Sequence, residues 1–334
     1  MYKHFIILGF ISVISACYSS TNSPKNALHT TDKLIIIAHR GASGFLPEHT
    51  KEAAVLSFMQ GADYIEQDIV VSKDKQLIVL HDIHLETVTN VENLFSERKR
   101  ADGHFYVIDF TLKELRALSV HERETNNNHA VFPSRYQGNA HFTIATFAEH
   151  VELINNLNRT FNKNIGLFTE IKSAAWHESQ GVDITELFVA EFNRLKLNEK
   201  DANIYLQSFD PRVLKRLRYQ FDIHAKLLQL IAPSDWSNAI TAQDIIGNKT
   251  GLQQIAEYAH AIGPYLPQVI DLKTHRRSEL AANAKSLNLS VFAYTFRSDV
   301  LDSAIEPEEA FKLIRQSDID GLFTDQVMPY MFAN

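Results

Sequence analysis

Cysteine is almost absent: the 334 residues carry one, Cys17. A single thiol cannot close an internal disulfide, so stability has to come from a buried core. Glycine and proline are sparse, at 12 and 9 residues, which leaves no composition for a long flexible linker. No low-complexity tract and no repeat of solenoid period is present. Basic stripes are missing too. The net charge is −7, and the densest basic cluster, Arg98-Lys99-Arg100, is short and flanked by acids. That excludes a general nucleic-acid binder, and the cluster reads as a solvated loop. No GxGxxG turn follows the first apolar run, which counts against a doubly wound open sheet. What is present is ordinary globular composition, 45% hydrophobic and 22% charged, with ample material for a core.

The N-terminus has its own pattern. Lys3 is positive, Phe5 to Val13 is almost wholly apolar, and Ile14-Ser15-Ala16 leads into Cys17. The apolar run is too short to span a bilayer as a mature helix. The pattern resembles a bacterial lipoprotein signal. Residues 1–16 would be removed, Cys17 acylated, and 17–32, rich in Ser, Thr and Asn, left as a tether. An ordinary signal peptide cut near Ala16 is the alternative. Either way the expectation is an exported chain, in the periplasm or at the outer membrane, with membrane contact through a lipid on Cys17. Tyr18, where an aspartate would signal inner-membrane retention, favours the outer membrane.

From residue 34 onward, strand and helix patterns alternate. The run 34–38 is apolar without alternation, as in a strand buried on both faces. Thr50 caps a helix that Gly61 ends. Strand 63–71 and a piece at 76–80 flank the polar turn Ser72-Lys73-Asp74-Lys75, which predicts a hairpin. Residues 83–141 are charged, Asn-rich and aromatic, and too long for a bare connection. They read as an insertion over one mouth of the fold. Strands near 165–171, 204–209, 226–230, 291–296 and 321–324 follow, with helical patterns between them and a short closing helix. An irregular segment covers 232–250. Nine strand-like pieces result, of which 76–80 and a weak piece at 261–264 are the doubtful members. Eight would close a barrel. The expectation is a TIM-type (β/α)8 barrel over 33–334, with a small inserted subdomain after the third strand.

The chemistry concentrates at strand ends. Between Ile35 and Asp82, one apolar run ends in His39-Arg40-Gly41 and another in His81-Asp82, while a third carries Glu66 and Asp68. Residues two apart on a strand point to one side. Two acids amid Tyr64, Ile65, Ile69, Val70 and Val71 would be costly to bury without a cation or an arginine. Hard divalent cations take oxygen ligands, and Glu170 could add a third; the alternative is surface carboxylates on an edge strand. A histidine ending a strand is commonly structural, yet two beside the acid pair fit general acid and base. Arg40 offers a fork for a phosphate, and Lys172 could hold another oxygen. Both could also be solvated cations. Glu48, Gln207 and Tyr294 are candidate supporting positions. The remaining histidines show no zinc-like spacing. The set reads as a metal-assisted phosphodiester-cleaving site.

Six segments, HRGASGFLPEHT, EQDIVVSKDKQLIVLHD, YVIDFTLKEL, FTEIK, YLQSFD and GLFTD, occur in that order. Together they resemble the glycerophosphodiester phosphodiesterase family, and within it the bacterial periplasmic branch that includes a surface lipoprotein. The resemblance implies a TIM-type barrel with an inserted domain. It implies hydrolysis of glycerophosphodiesters, such as glycerophosphocholine and glycerophosphoethanolamine, to sn-glycerol 3-phosphate and an alcohol. By position, Glu66, Asp68 and Glu170 would hold one divalent cation, Ca²⁺ in preference to Mg²⁺. His39 and His81 would be the acid–base pair, with Arg40 and Lys172 on the phosphate. His49 stands where the wider family often has Asn, and 232–250 matches least. Two rival expectations are a phospholipase D of the sphingomyelinase type and a surface-binding lipoprotein on the same fold.

Overall fold

Among the described residues eleven strands order the fold, and eight of them close on each other. In chain order they are β1 (Ile35–Ala38), β2 (Tyr64–Val71), β3 (Leu77–Val79), β4 (Gly166–Ile171), β5 (Ile204–Ser208), β6 (Lys226–Ile231), β7 (Ala261–Pro264), β8 (Ile270–Asp271), β9 (Arg276–Arg277), β10 (Ser290–Phe296) and β11 (Gly321–Thr324). The computed structural model describes Met1 and residues 33–233, 249–302 and 304–327. The expected signal and tether, Cys17, most of 232–250 and the closing helix lie outside the described residues. The chain from Leu34 onward forms one compact unit.

The sheet runs β1-β11-β10-β7-β6-β5-β4-β2 and closes where Tyr64 and Ile65 pair with Ile37 and Ala38 of β1. All eight are parallel, so this is the expected TIM-type barrel. The piece at 261–264 is a barrel member, β7, pairing with both β6 and β10. The piece at 76–80 is the hairpin arm: β3 pairs antiparallel with Ile69–Val71. β2 is thus split in use, its first half in the barrel wall and its second half in the hairpin. β8 and β9 form a separate two-stranded ribbon.

Local chemistry explains the turns. Thr50 caps the helix Lys51–Gln60 by accepting from the Ala53 N–H, and Gly61 ends it at φ 87°. Gly41, at φ 78°, follows β1 where a Cβ would come 2.8 Å from the Ala53 carbonyl carbon. Only glycine fits both conditions without strain. That turn brings the helix start against the end of β1.

Aromatic rings fill the barrel interior. Phe168 stacks on Tyr205 with centroids 4.5 Å apart, and meets Phe323 and Phe292 edge-on at 5.1 and 5.6 Å. Offset and edge-on packing suits the ring quadrupoles. A second apolar cluster packs Phe105, Phe110, Leu115 and Leu118, from the stretch of chain between β3 and the helix Phe147–Phe161, against Val70, Ile78 and Leu80 of the hairpin.

Candidate active site

A cavity of about 560 Å³ opens at the C-terminal ends of the barrel strands. Phe323 of the aromatic interior forms part of its floor. His39, Arg40, Glu66, Asp68, His81, Glu170, Lys172, Gln207 and Tyr294 all line it. Glu48 is buried beside it, and Cys17 lies outside the described residues.

Register builds the acidic wall. Asp68 of β2 sits opposite Glu170 of β4, which sits opposite Gln207 of β5. Glu66 lies one inward position lower, opposite Phe168. Glu66 Oε2 accepts from the Arg40 N–H at 2.6 Å, and Oε1 accepts from Gln207 Nε2 at 3.4 Å. Glu170 Oε1 is 2.9 Å from the Lys172 ammonium. Asp68 Oδ2 accepts from His49 Nε2 at 2.8 Å, while its Oδ1 is buried without a hydrogen bond. Donor atoms of His49, Glu66 and Asp68 lie within 4.8 Å of one another. Glu170 faces Lys172 rather than joining that group.

The two histidines are held alike. His39 Nδ1 is 2.6 Å from Asp325 Oδ1, and His81 Nδ1 is 2.5 Å from Asp82 Oδ1. A carboxylate accepts, so Nδ1 carries the hydrogen and Nε2 keeps its lone pair in each. The Lys172 ammonium donates to His81 Nε2 at 3.2 Å. Each aspartate is itself gripped by arginine from residues 83–141. Arg123 donates to Asp82 at 2.6 Å, and Arg135 donates to Asp325 at 2.8 Å. Arg297 adds a bond to Asp325 at 2.7 Å. Arg123 also forks onto Glu48 at 2.9 and 2.6 Å, and Glu48 accepts from Arg40 at 2.9 Å.

Charge in this space is uneven. Burial and the Arg40 guanidinium lower His39 to about 4. Burial, Arg40 and Lys172 lower His81 to about 3. Both imidazoles are therefore neutral at pH 7. Burial and the Asp68 carboxylate push Glu66 well above the carboxylate range. Burial, opposed by Lys172 and reinforced by Asp68, pushes Glu170 up to about 8. Burial works to raise Asp68 as well, but Lys172 and the His49 hydrogen bond hold it well below its usual value.

Four residues bonded into this network were not anticipated: Asp325, Arg297, Arg123 and Arg135. Asp325 directly follows β11, and a polar residue ending an apolar strand was the available signal. His49, which reads from the sequence as part of a helix start and a departure from the family motif, is buried and bonded to Asp68.

The chain resembles known proteins over nearly its whole length. Residues 39–328 match the model of the glycerophosphoryl diester phosphodiesterase family. A glycerophosphodiester phosphodiesterase of Haemophilus influenzae is 34% identical, covering 94% of this chain and 93% of that protein. One of Treponema pallidum is 33% identical, over 87% and 89%. The crystal structure of a glycerophosphodiester phosphodiesterase from Agrobacterium tumefaciens is 19% identical with a TM-score of 0.59, covering 90% of this chain and all of that one. A phosphodiesterase of Oleispira antarctica, in complex with the product sn-glycerol-3-phosphate, is 20% identical with a TM-score of 0.57, over 88% and 93%. At such identity these two structures speak to the fold.

Proposed function

Because the chain belongs to the glycerophosphoryl diester phosphodiesterase family and is a glycerophosphodiester phosphodiesterase, we propose that it hydrolyses glycerophosphodiesters such as glycerophosphocholine and glycerophosphoethanolamine to sn-glycerol 3-phosphate and an alcohol. We propose that a divalent cation assists, Ca²⁺ in preference to Mg²⁺, and that His39 and His81 move the protons. The observation that carries this reading is that two Asp-held histidines line one cavity together with three carboxylates, Arg40 and Lys172.

The residues fit a cation. Asp68 Oδ1 and Gln207 Oε1 are buried oxygens without a hydrogen bond. Glu66 and Glu170 hold protons above the usual carboxylate range because burial disfavours their charged forms and the Asp68 carboxylate stands beside them. Glu66, Asp68 and Glu170 would be the ligands, with the Gln207 oxygen beside them. An all-oxygen set with several donors suits Ca²⁺. A bound cation of this kind supplies Lewis-acid polarisation of a phosphoryl oxygen.

The chain's own residues do the rest. Arg40, held by Glu48, offers its fork to the phosphate. Lys172 presents a point charge beside it. A bound phosphodiester anion offsets both cations, and so raises the two imidazoles from their depressed values toward the range where they trade protons. One Nε2 then takes a proton from the nucleophile, while the other, having taken up a proton from solvent as its pKa rises, passes it to the leaving alkoxide. Asp325 and Asp82 hold the tautomer and stabilise the imidazolium that forms. We read the chain as exported and lipid-anchored at Cys17, on the strength of its first seventeen residues.

The test is release of glycerol 3-phosphate from glycerophosphocholine by the purified protein. Chelator should stop it and Ca²⁺ restore it. Release unaffected by chelator would sink the cation, and preference for sphingomyelin would sink the substrate class. Palmitate labelling of the expressed chain, lost in Cys17→Ala, tests the anchor.

A further inference from the structure

A second group of ligand-type side chains lies outside the cavity. His84, Glu86 and His104 each offer one donor atom, and these atoms fall within 4.8 Å of one another. None of the three lines the cavity. Chain pairing brings them together. His84 bridges Tyr106, the Leu85 N–H donates to the Phe105 carbonyl at 3.0 Å, and the Val107 N–H donates to the Ile83 carbonyl at 2.9 Å. Such a meeting of two distant segments leaves no spacing signature in the sequence.

Several features set the group apart from ordinary surface polarity. His84 Nε2 is buried and has no hydrogen-bond partner. The imidazoles of His84 and His104 lie face to face, with centroids 4.3 Å apart and planes 14° from parallel. Two imidazolium ions would repel in that arrangement, which favours a free lone pair on at least one ring. Glu86 is only 11% exposed. Its Oε1 is 2.5 Å from His104 Nδ1, and its Oε2 accepts from the Phe105 N–H at 3.1 Å. The Asp102 carboxylate stands next to them, accepting from the His104 N–H at 3.2 Å.

We propose that His84, Glu86 and His104 bind a borderline-soft divalent cation of the Zn²⁺ class, separately from the cation of the barrel cavity. Two imidazoles and one carboxylate form a donor set suited to Zn²⁺. Ca²⁺ and Mg²⁺ ask for oxygen ligands and are poorly served by it. The ion would pin the loop that follows His81-Asp82 to the segment around Phe105. Tyr106 of that segment stacks on Trp176 at 5.2 Å, four residues beyond Lys172. Occupancy would therefore stiffen one wall beside the cavity without touching its chemistry. The proposal stands or falls apart from the hydrolytic reading.

The experiment uses the full chain with Glu66→Gln and Asp68→Asn, which remove carboxylates of the cavity. Zn²⁺ is titrated in competition with a chromophoric chelator. One equivalent of uptake is expected. Adding Glu86→Gln or His104→Ala should weaken it by more than the roughly 10–100-fold that loss of a residue merely bonded to a ligand costs. Glu86→Gln keeps an acceptor for the Phe105 N–H, so the local fold survives, and circular dichroism checks it. In the same Glu66→Gln, Asp68→Asn chain, added Zn²⁺ should raise the melting temperature, and His104→Ala should remove that rise. No uptake, or uptake unchanged when His84→Ala and His104→Ala are combined, overturns the site.

Discussion

Arg123 is the residue whose loss should be felt on both flanks of the cavity. Its guanidinium makes two bonds to Glu48 and one to Asp82, at 2.9, 2.6 and 2.6 Å. The side chain is 16% exposed. In Arg123→Met, Glu48 would keep only Arg40, and Asp82 only His81 and Thr87. Bonds to charged groups are worth about 1.5–3 kcal/mol each, but they are not additive. Removing one partner of a buried ion pair costs about 3–5 kcal/mol, because the abandoned charges stay buried. We take that lower range as the expected loss of stability, read from the shift of the urea midpoint. A domain stable by about 5–15 kcal/mol survives most of it. Activity should fall for a different reason: Asp82 would no longer be fixed, and His81 with it. The drop in kcat should be part of the roughly 10²–10⁴-fold that acid–base catalysis supplies. Arg123→Lys separates the two effects. An ammonium restores the charge but cannot fork onto two carboxylates, so stability should recover further than kcat. Glycerol 3-phosphate release at saturating substrate, below the melting temperature, gives kcat. A wild-type midpoint and a wild-type kcat in Arg123→Met would refute the reasoning, and so would full recovery of kcat in Arg123→Lys.

The remaining predictions concern the histidines, the acidic wall and the floor. His39→Ala and His81→Ala should each lower kcat by about 10²–10⁴-fold; near-normal turnover in both would dismiss the proton-transfer roles. Glu170, pushed up to about 8 by burial and its acidic neighbour, should release its proton to the buffer when a cation binds. Calorimetry of Ca²⁺ binding in two buffers of different ionisation enthalpy should show proton release at pH 7 and almost none well above pH 8. In chelator, folded Glu170 keeps a proton that the unfolded chain has lost, so between its ordinary 4.5 and about 8 its contribution to stability falls as pH rises. Saturating Ca²⁺ should flatten that slope in urea titrations, and an unchanged slope would count against Glu170 as a ligand. Phe168→Ala should cost about 3–5 kcal/mol by opening a cavity beneath the site, measured by the same titrations.

What was legible beforehand followed from the cost of burial. Polar residues ending apolar strands need a reason, and that argument found His39, Glu66, Asp68, His81, Glu170 and Lys172, which the barrel brings to one cavity. The weak piece at 261–264 was hard to place because a strand buried on both faces shows no alternation. Only its pairing with β6 and β10 reveals it. Arg123 and Arg135 had no signal at all. They lie in a stretch tied together by isolated bridges, such as Thr89 to Val120 and Val120 to Phe142. No periodicity marks such pairings, so the partners of Asp82 and Asp325 could not be inferred. The same physics hid His84 and His104.

The electrostatics of the cavity argue that its two proposed ligands arrive as a pair. Without a cation, the acidic wall holds protons on carboxyls pushed above their ordinary range. Without an anion, burial and Arg40 hold both histidines neutral, with Lys172 adding to the effect at His81. A cation alone would relieve the first imbalance and add to the positive charge that depresses the imidazoles. A phosphodiester alone would meet Asp68, which is held ionised. Together each offsets the repulsion that the other would suffer. Binding of the two should then be reciprocal, with substrate raising cation affinity by the same factor as cation raises substrate affinity. The arginines behind Asp82 and Asp325 fit this scheme. They keep both aspartates ionised, so each histidine that gains a proton finds its counter-charge already in place.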